Sequence, residues 1–238
     1  MTAVQLPLLG WLAILLAGWG HDTTQAVVRA ARGPTIAHEV TVTTGRPRFV
    51  FNASPLTHAQ RSRVVATSWR PDCPVGLLRL RYLRISYWGF GYRPHLGELV
   101  VNVSAVRPLQ RAFAALFAAK FPIRRMRLVD DYGGSDDASI EADNTSAFNC
   151  RKVTGGSGWS MHAYGLAVDI NPIENPYVYA NGTTSHAASK TYLDRRNVRE
   201  GMAIPHGALV RSFDAIGWGW GGRWPGPTDY QHFSANGR

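Results

Sequence analysis

Two rhythms of apolar and polar positions divide the chain into strands and helices. From Leu80 to Ser86 hydrophobic residues alternate with arginines, and Glu98–Val103 is a short run rich in β-formers, so both predict strands. After Ser104, placed as a helix cap, Val106, Leu109, Phe113, Leu116 and Phe117 recur at helical spacing until Phe121-Pro122. Pro108 falls in the first turn of that helix, where its missing amide proton costs little. Ile123–Val129 returns to a strand pattern. Leu166–Ile170 is apolar apart from Asp169 and lies between Gly165 and the Asn171-Pro172 stop, the pattern of a buried strand. A second helix is expected from about Gly207 to Ile216, with Leu209, Val210, Phe213 and Ile216 inward and Gly217 as its stop. The order is irregular and contains no repeated βαβ unit. It argues for an α+β fold, a compact domain with a central antiparallel sheet flanked by helices.

Upstream the pattern weakens. Val40–Thr43 and Arg48–Phe51 alternate briefly, separated by Gly45-Arg46-Pro47 and followed by Asn52-Ala53-Ser54-Pro55; a hairpin and an extended arm fit equally. The expected organisation is a signal peptide or membrane anchor over residues 1–26, an amino-terminal extension over 27–67 and the main domain over 68–238. Leu6–Ala17 is too short, and too interrupted by Pro7 and Gly10, for a membrane span of ~20 apolar residues. It fits the apolar core of a secretory signal, although no lysine or arginine precedes it; an uncleaved anchor is the competing reading.

With 45% hydrophobic and 18% charged residues among 238, the chain can bury a proper core. A formal charge of +10 raises nucleic-acid binding, but the arginines are scattered through aromatic-rich sequence and form no stripe or known module. No nucleic-acid partner is expected. In an exported protein such charge would instead draw the chain toward anionic wall polymers. Only two cysteines occur, Cys73 and Cys150; a single disulfide is the economical reading, with zinc ligation by Cys150 as its rival. The Asn-x-Ser/Thr sequons at Asn52, Asn102, Asn144 and Asn181 are read as coincidental.

The candidate chemistry lies in Ser160-Met161-His162-Ala163-Tyr164-Gly165-Leu166-Ala167-Val168-Asp169, and in Asp229-Tyr230-Gln231-His232 sixty residues on. Two imidazoles and a carboxylate, His162, His232 and Asp169, make a competent zinc site that keeps a fourth position open. Asp229 is then free for proton transfer. His162 and Asp169 are seven apart, an offset that puts them on opposite faces of a continuous strand, so the site needs a bend between them. Gly165 permits one. Asp229 and His232, three apart, also face opposite ways unless Asp229 sits in the turn entering the strand, a turn that Pro225-Gly226-Pro227 supplies. Trp159, Tyr164, Trp218, Trp220 and Trp224 can wall a cleft or pack in the core.

These residues resemble the zinc-dependent peptidoglycan peptidases that include VanY-like D-alanyl-D-alanine carboxypeptidases and phage-type L-alanyl-D-glutamate endopeptidases. The shared signature is Ser-x-His-x-x-Gly-x-Ala-x-Asp followed by a carboxylate three residues before a histidine, met here by Ser160, His162, Gly165, Ala167, Asp169, Asp229 and His232. The likeness extends upstream through Tyr87–Phe90, Gly97–Asn102 and Asn144–Arg151. It implies the hedgehog/D-Ala-D-Ala peptidase-like fold, Zn2+ as cofactor, and hydrolysis of a peptide bond involving a D-amino acid in peptidoglycan stem peptides. A D-alanyl-D-alanine carboxypeptidase is the first reading; an L-alanyl-D-glutamate endopeptidase and a non-catalytic zinc-containing wall-binding module are the alternatives. The roles carried over are His162, Asp169 and His232 as zinc ligands, Asp229 as general base and Arg151 as holder of the scissile carbonyl or a substrate carboxylate. Many relatives place glutamate where Asp229 stands, and the spacing of Arg151 is not the common one. A monomer, secreted or held in the wall or periplasm of a bacterium, is the implied setting.

Overall fold

The computed structural model describes residues 47–238. The leader expected over 1–26 and the Val40–Thr43 piece lie outside the described residues. The first sheet is antiparallel, with β1 (Phe51–Pro55) on β2 (Leu80–Trp88) and β2 on β3 (Pro94–Asn102), in register from Phe51 opposite Ile85 and from Leu80 opposite Asn102. Between β1 and β2 runs α1 (His58–Ala66), entered through a capping box in which Thr57 and Gln60 exchange hydrogen bonds. The segment 51–66, counted with the extension in the sequence reading, therefore supplies an edge strand and a helix to the unit that begins at Pro47.

Next comes α2 (Val106–Ala118), which turns Leu109, Phe113 and Leu116 onto the face of β2 and β3 that carries Leu83, Ile85, Leu99 and Val101. Its entry differs from expectation. Asn102, not Ser104, accepts the orphan amide, its Oδ1 taking the Ser104 N–H at 3.1 Å ahead of a single 3-10 turn, and Ala105 precedes α2 without a side-chain cap. A short α3 (Asp136–Glu141) follows, and then α4 (Ala208–Asp214), which packs on α2 through Leu209, Val210 and Phe213 and ends before Gly217.

The expected strand over Ile123–Val129 does not form. That segment makes one isolated bridge, Met126 with Thr145, just after a bridge of Trp88 with Pro122, while side-chain amides take its backbone: Asn171 Oδ1 accepts from Arg124 N at 2.9 Å and Asn144 Oδ1 from Arg127 N at 2.8 Å. The antiparallel structure is also divided where one central sheet was expected. A second sheet has the order β4 (Ala167–Asp169), β8 (His232–Ser234), β6 (Gly219–Trp220), and β5 (Tyr177–Val178) pairs with β7 (Thr228–Asp229) in a two-stranded ribbon. Mixed helices and small antiparallel sheets make the fold α+β, as the pattern indicates.

The second sheet is pinned from behind. The Phe233 ring stacks on Phe213 of α4 at 4.3 Å between centroids, and Val168 and Phe233 are fully buried. Each such aromatic burial stabilises by roughly 1.5–3 kcal/mol. Because neighbours on a strand face opposite ways, Phe233 and Val168 in the core turn His232 and Asp169 outward to the other face. A disulfide joins Cys73 to Cys150, with 5.8 Å between Cα atoms. No helix among the described residues is long and apolar enough to cross a membrane.

Candidate metal centre and cleft

His162 is presented by a 3-10 turn, Met161–Tyr164, entered through Ser160, whose Oγ accepts the His162 amide at 3.3 Å. The bend required between His162 and Asp169 is at Gly165, which has φ 67° and donates its amide to the His162 carbonyl. A side chain there would be strained by the dihedral and would place Cβ 2.6 Å from Asn102 N, so glycine is dictated twice. Asp169 ends β4 directly opposite His232 on β8. Directly opposed residues of antiparallel strands share a face, which closes the sixty-residue gap in sequence.

The three side chains meet. His162 Nε2 lies 3.1 Å from His232 Nδ1 and 3.1 Å from Asp169 Oδ2, and His232 Nδ1 lies 3.1 Å from Asp169 Oδ1. All three residues are at most 5% exposed. The remaining ring nitrogens assign the tautomers. His162 Nδ1 lies 2.5 Å from the Ala147 carbonyl and His232 Nε2 lies 3.2 Å from the main-chain oxygen of Arg238. These main-chain oxygens only accept, so each of these nitrogens carries the proton, and in the neutral imidazoles the two inward nitrogens present lone pairs. Two lone pairs and a carboxylate in mutual contact repel unless a positive centre sits among them. A single proton would serve one edge of that triangle; a metal ion serves all three. Tetrahedral coordination at 2.0–2.1 Å implies ligand separations of roughly 3.3 Å, close to those seen, so the donor set fits a divalent metal.

Electrostatics agree with this division of labour. Burial alone pushes the Asp169 carboxyl up, but in the metal-free protein His162 and then His232, when protonated, outweigh it and hold the group well below the usual carboxylate range, the part a metal cation takes when bound. Asp229 behaves oppositely. Burial first, and the charge of Asp169 second, push it up to about 7. Its Oδ1 is shielded from solvent and has no hydrogen-bond partner. A carboxyl tuned to neutrality beside a metal-type donor set suits proton transfer.

Asp229 does not sit in a turn entering the strand of His232. It belongs to β7, opposite Tyr177 of β5, and Tyr230-Gln231 carry the chain on to β8. Both Asp229 and His232 line a cleft of about 290 Å3, shared with Arg151, Trp159, Met161, Tyr177 and Trp224. Trp159 and Trp224 wall the cleft, whereas Trp218 and Trp220 are core residues. Arg151 is on the cleft wall, its Nε 3.1 Å from Asp136 Oδ2 and its Nη1 donating to the Lys152 carbonyl. A larger cavity of about 380 Å3, walled by Arg195, Ile204, Trp220 and Tyr230, contains none of the four proposed ligand and base groups.

Three contributors escape a reading of side-chain chemistry. Ala147 and Arg238 act through main-chain oxygens, which carry no residue-type signal. Gly221 lets β7 approach: a Cβ there would lie 2.6 Å from Asp229 O. The Trp220-Gly221-Gly222 run was the available hint. Cys150 is disulfide-bonded and outside the cluster, which removes it as a metal ligand.

Residues 154–235 match a family model described as D-alanyl-D-alanine carboxypeptidase. The matched span includes the three clustered ligands and Asp229; Arg151 precedes it. The match supports the VanY-like peptidase family read from the signature. No curated protein and no solved structure matches the chain.

Proposed function

We propose that this chain, bearing the D-alanyl-D-alanine carboxypeptidase pattern over residues 154–235, is a zinc-dependent peptidase of the bacterial wall that removes the terminal D-alanine from peptidoglycan stem peptides. The observation that carries the reading is a buried triangle of His162, Asp169 and His232, of which His232 lines the same cleft as Asp229, a carboxyl pushed up to about 7. His162, Asp169 and His232 hold the ion. When bound, zinc supplies a Lewis acid that polarises a carbonyl and acidifies water.

The rest of the chemistry falls to side chains. Asp229 takes a proton from the attacking water and later returns it to the leaving amine of D-alanine, so the peptide C–N bond breaks with no net proton change at the carboxyl. Aspartate reaches less far than glutamate; β7, brought close by Gly221, sets where it stands. Arg151 donates to the oxygen on which negative charge develops, or to the substrate's terminal carboxylate. Trp159, Trp224 and Tyr177 offer flat apolar walls that exclude water from the bond being cut. The disulfide and the substrate together favour an extracytoplasmic setting.

The test is incubation of the purified protein with a defined muropeptide mixture, with and without a chelator, and mass analysis of the products. Loss of one D-alanine, abolished by chelation and restored by zinc, is expected. Cleavage between L-alanine and D-glutamate would move the activity to the endopeptidase class, and no cleavage in any state would leave a wall-binding module.

A further inference from the structure

His162 and His232 are oriented differently. The first is held by Ala147, within a buried segment; the second is held by the main-chain oxygen of Arg238, at 3.2 Å. We propose that Asn236–Arg238 is a latch that positions His232, fixing Nδ1 as its metal-facing nitrogen. The inference rests on the zinc reading of the cluster and concerns how that site is kept in shape.

The latch is a connected set of contacts. Ser234, two residues beyond His232 and so on the same face of β8, donates its Oγ to the Arg238 oxygen at 2.8 Å. The Arg238 amide donates to Asn236 Oδ1 at 2.9 Å, closing a tight turn. Trp224 Nε1 donates to the Gly237 oxygen at 2.6 Å, and the Trp224 ring lies 5.5 Å from that of His232. Gly237 takes φ 78° against Gly219, where an added Cβ would fall 2.4 Å from Gly237 Cα. One oxygen thus receives both the His232 ring proton and the Ser234 hydroxyl. Without the turn, His232 Nε2 would face the cleft and water, and the ring would be free to rotate away from Asp169. Partners behind a metal-binding histidine set its orientation and basicity, and their loss costs about 10–100-fold in metal affinity. Arg238 acts here as a positioning residue through its main chain alone.

The test compares the unmodified protein with Asn236→Ala, Ser234→Ala/Asn236→Ala and Arg238→Ala. Zinc affinity is measured by competition with a chromophoric chelator, and the His232 Nε2 proton by long-range proton–nitrogen correlation on the loaded protein. Asn236 is exposed, so its single variant keeps the fold. The expected result is zinc bound at least about tenfold more weakly by the double variant, with the Nε2 proton lost to exchange, and Arg238→Ala within about twofold of the unmodified protein. Equal affinity and a protected Nε2 proton in the double variant would overturn the latch while leaving the zinc site standing. No zinc binding by the unmodified protein would overturn both.

Discussion

At Asp229 a single carboxyl has to be ionised to work and is buried in a way that resists ionisation. Asp229→Asn keeps the size and removes the base, so turnover should fall by about 10²–10⁴-fold while zinc is retained; steady-state rates beside metal content check both halves. The same burial makes a stability statement. In the metal-free protein Asp229 titrates near 7 against an ordinary value near 4, so between those limits the folded chain binds more protons than the unfolded one. The contribution of Asp229 to stability should be fully present below about pH 4 and be lost as pH rises through 7. Glu174, pushed up to about 8 by burial and then by Asp143, despite Arg124 Nη2 at 3.0 Å, adds a slope of the same sign. Urea melts of chelated protein between pH 5 and 8 should show the decline, shallower but not absent in Asp229→Asn. Residues of this kind were legible because their types are rare and their spacing is local: His162, Gly165 and Asp169 lie on one bend. Ala147 and Arg238 were not, since a main-chain oxygen looks the same under any side chain.

Elements were legible where one face had a continuous core to meet. α2 and α4 follow their apolar periods because Leu109, Phe113, Val210 and Phe213 bury against one another and the first sheet. Ile123–Val129 misled because Ile123, Met126 and Leu128 are buried and the arginines between them are not, yet the segment meets β2 and β3 only at single hydrogen bonds, Ile123 N to Trp88 O at 2.7 Å and Glu98 N to Met126 O at 3.0 Å. Asn144 and Asn171 replace the missing ladder. Asn144 closes both backbone groups of Arg127, accepting from its amide at 2.8 Å and donating to its carbonyl at 3.0 Å. Asn144→Ala should therefore destabilise the protein by about 1–3 kcal/mol, read as a lower urea midpoint at unchanged slope, because the hydrogen bonds of a buried amide to the Arg127 backbone and to Ser139 Oγ are lost together. β1 was missed for the converse reason. Phe-Asn-Ala-Ser-Pro has no strand pattern of its own, and its extended form comes from pairing with β2.

Across the whole molecule, the site is assembled by segments that the sequence keeps far apart. The first sheet reaches it through β3, where the Asn102 amide donates to the Gly165 carbonyl at 2.9 Å, and through Phe148 N donating to Val100 O at 3.0 Å. The Cys73–Cys150 disulfide ties the segment after α1 to the residue before Arg151 across 77 positions. Closing a loop of that length stabilises by about 4 kcal/mol in the chain-entropy account. The double variant Cys73→Ser/Cys150→Ser should lose stability of that order in denaturant melts yet bind zinc as before, because neither sulfur touches the cluster. The disulfide was readable from a count of two; the pairing of β4 with β8 was not, since nothing local links Asp169 to His232.

Everything functional depends on His162, Asp169 and His232 holding one metal ion. Zinc K-edge absorption on protein loaded with a single equivalent of zinc tests this directly. The expected spectrum has two imidazole shells and light oxygen donors with no sulfur, and Asp169→Ala should no longer retain zinc. A sulfur shell near ~2.3 Å, or an unchanged spectrum in Asp169→Ala, would contradict it.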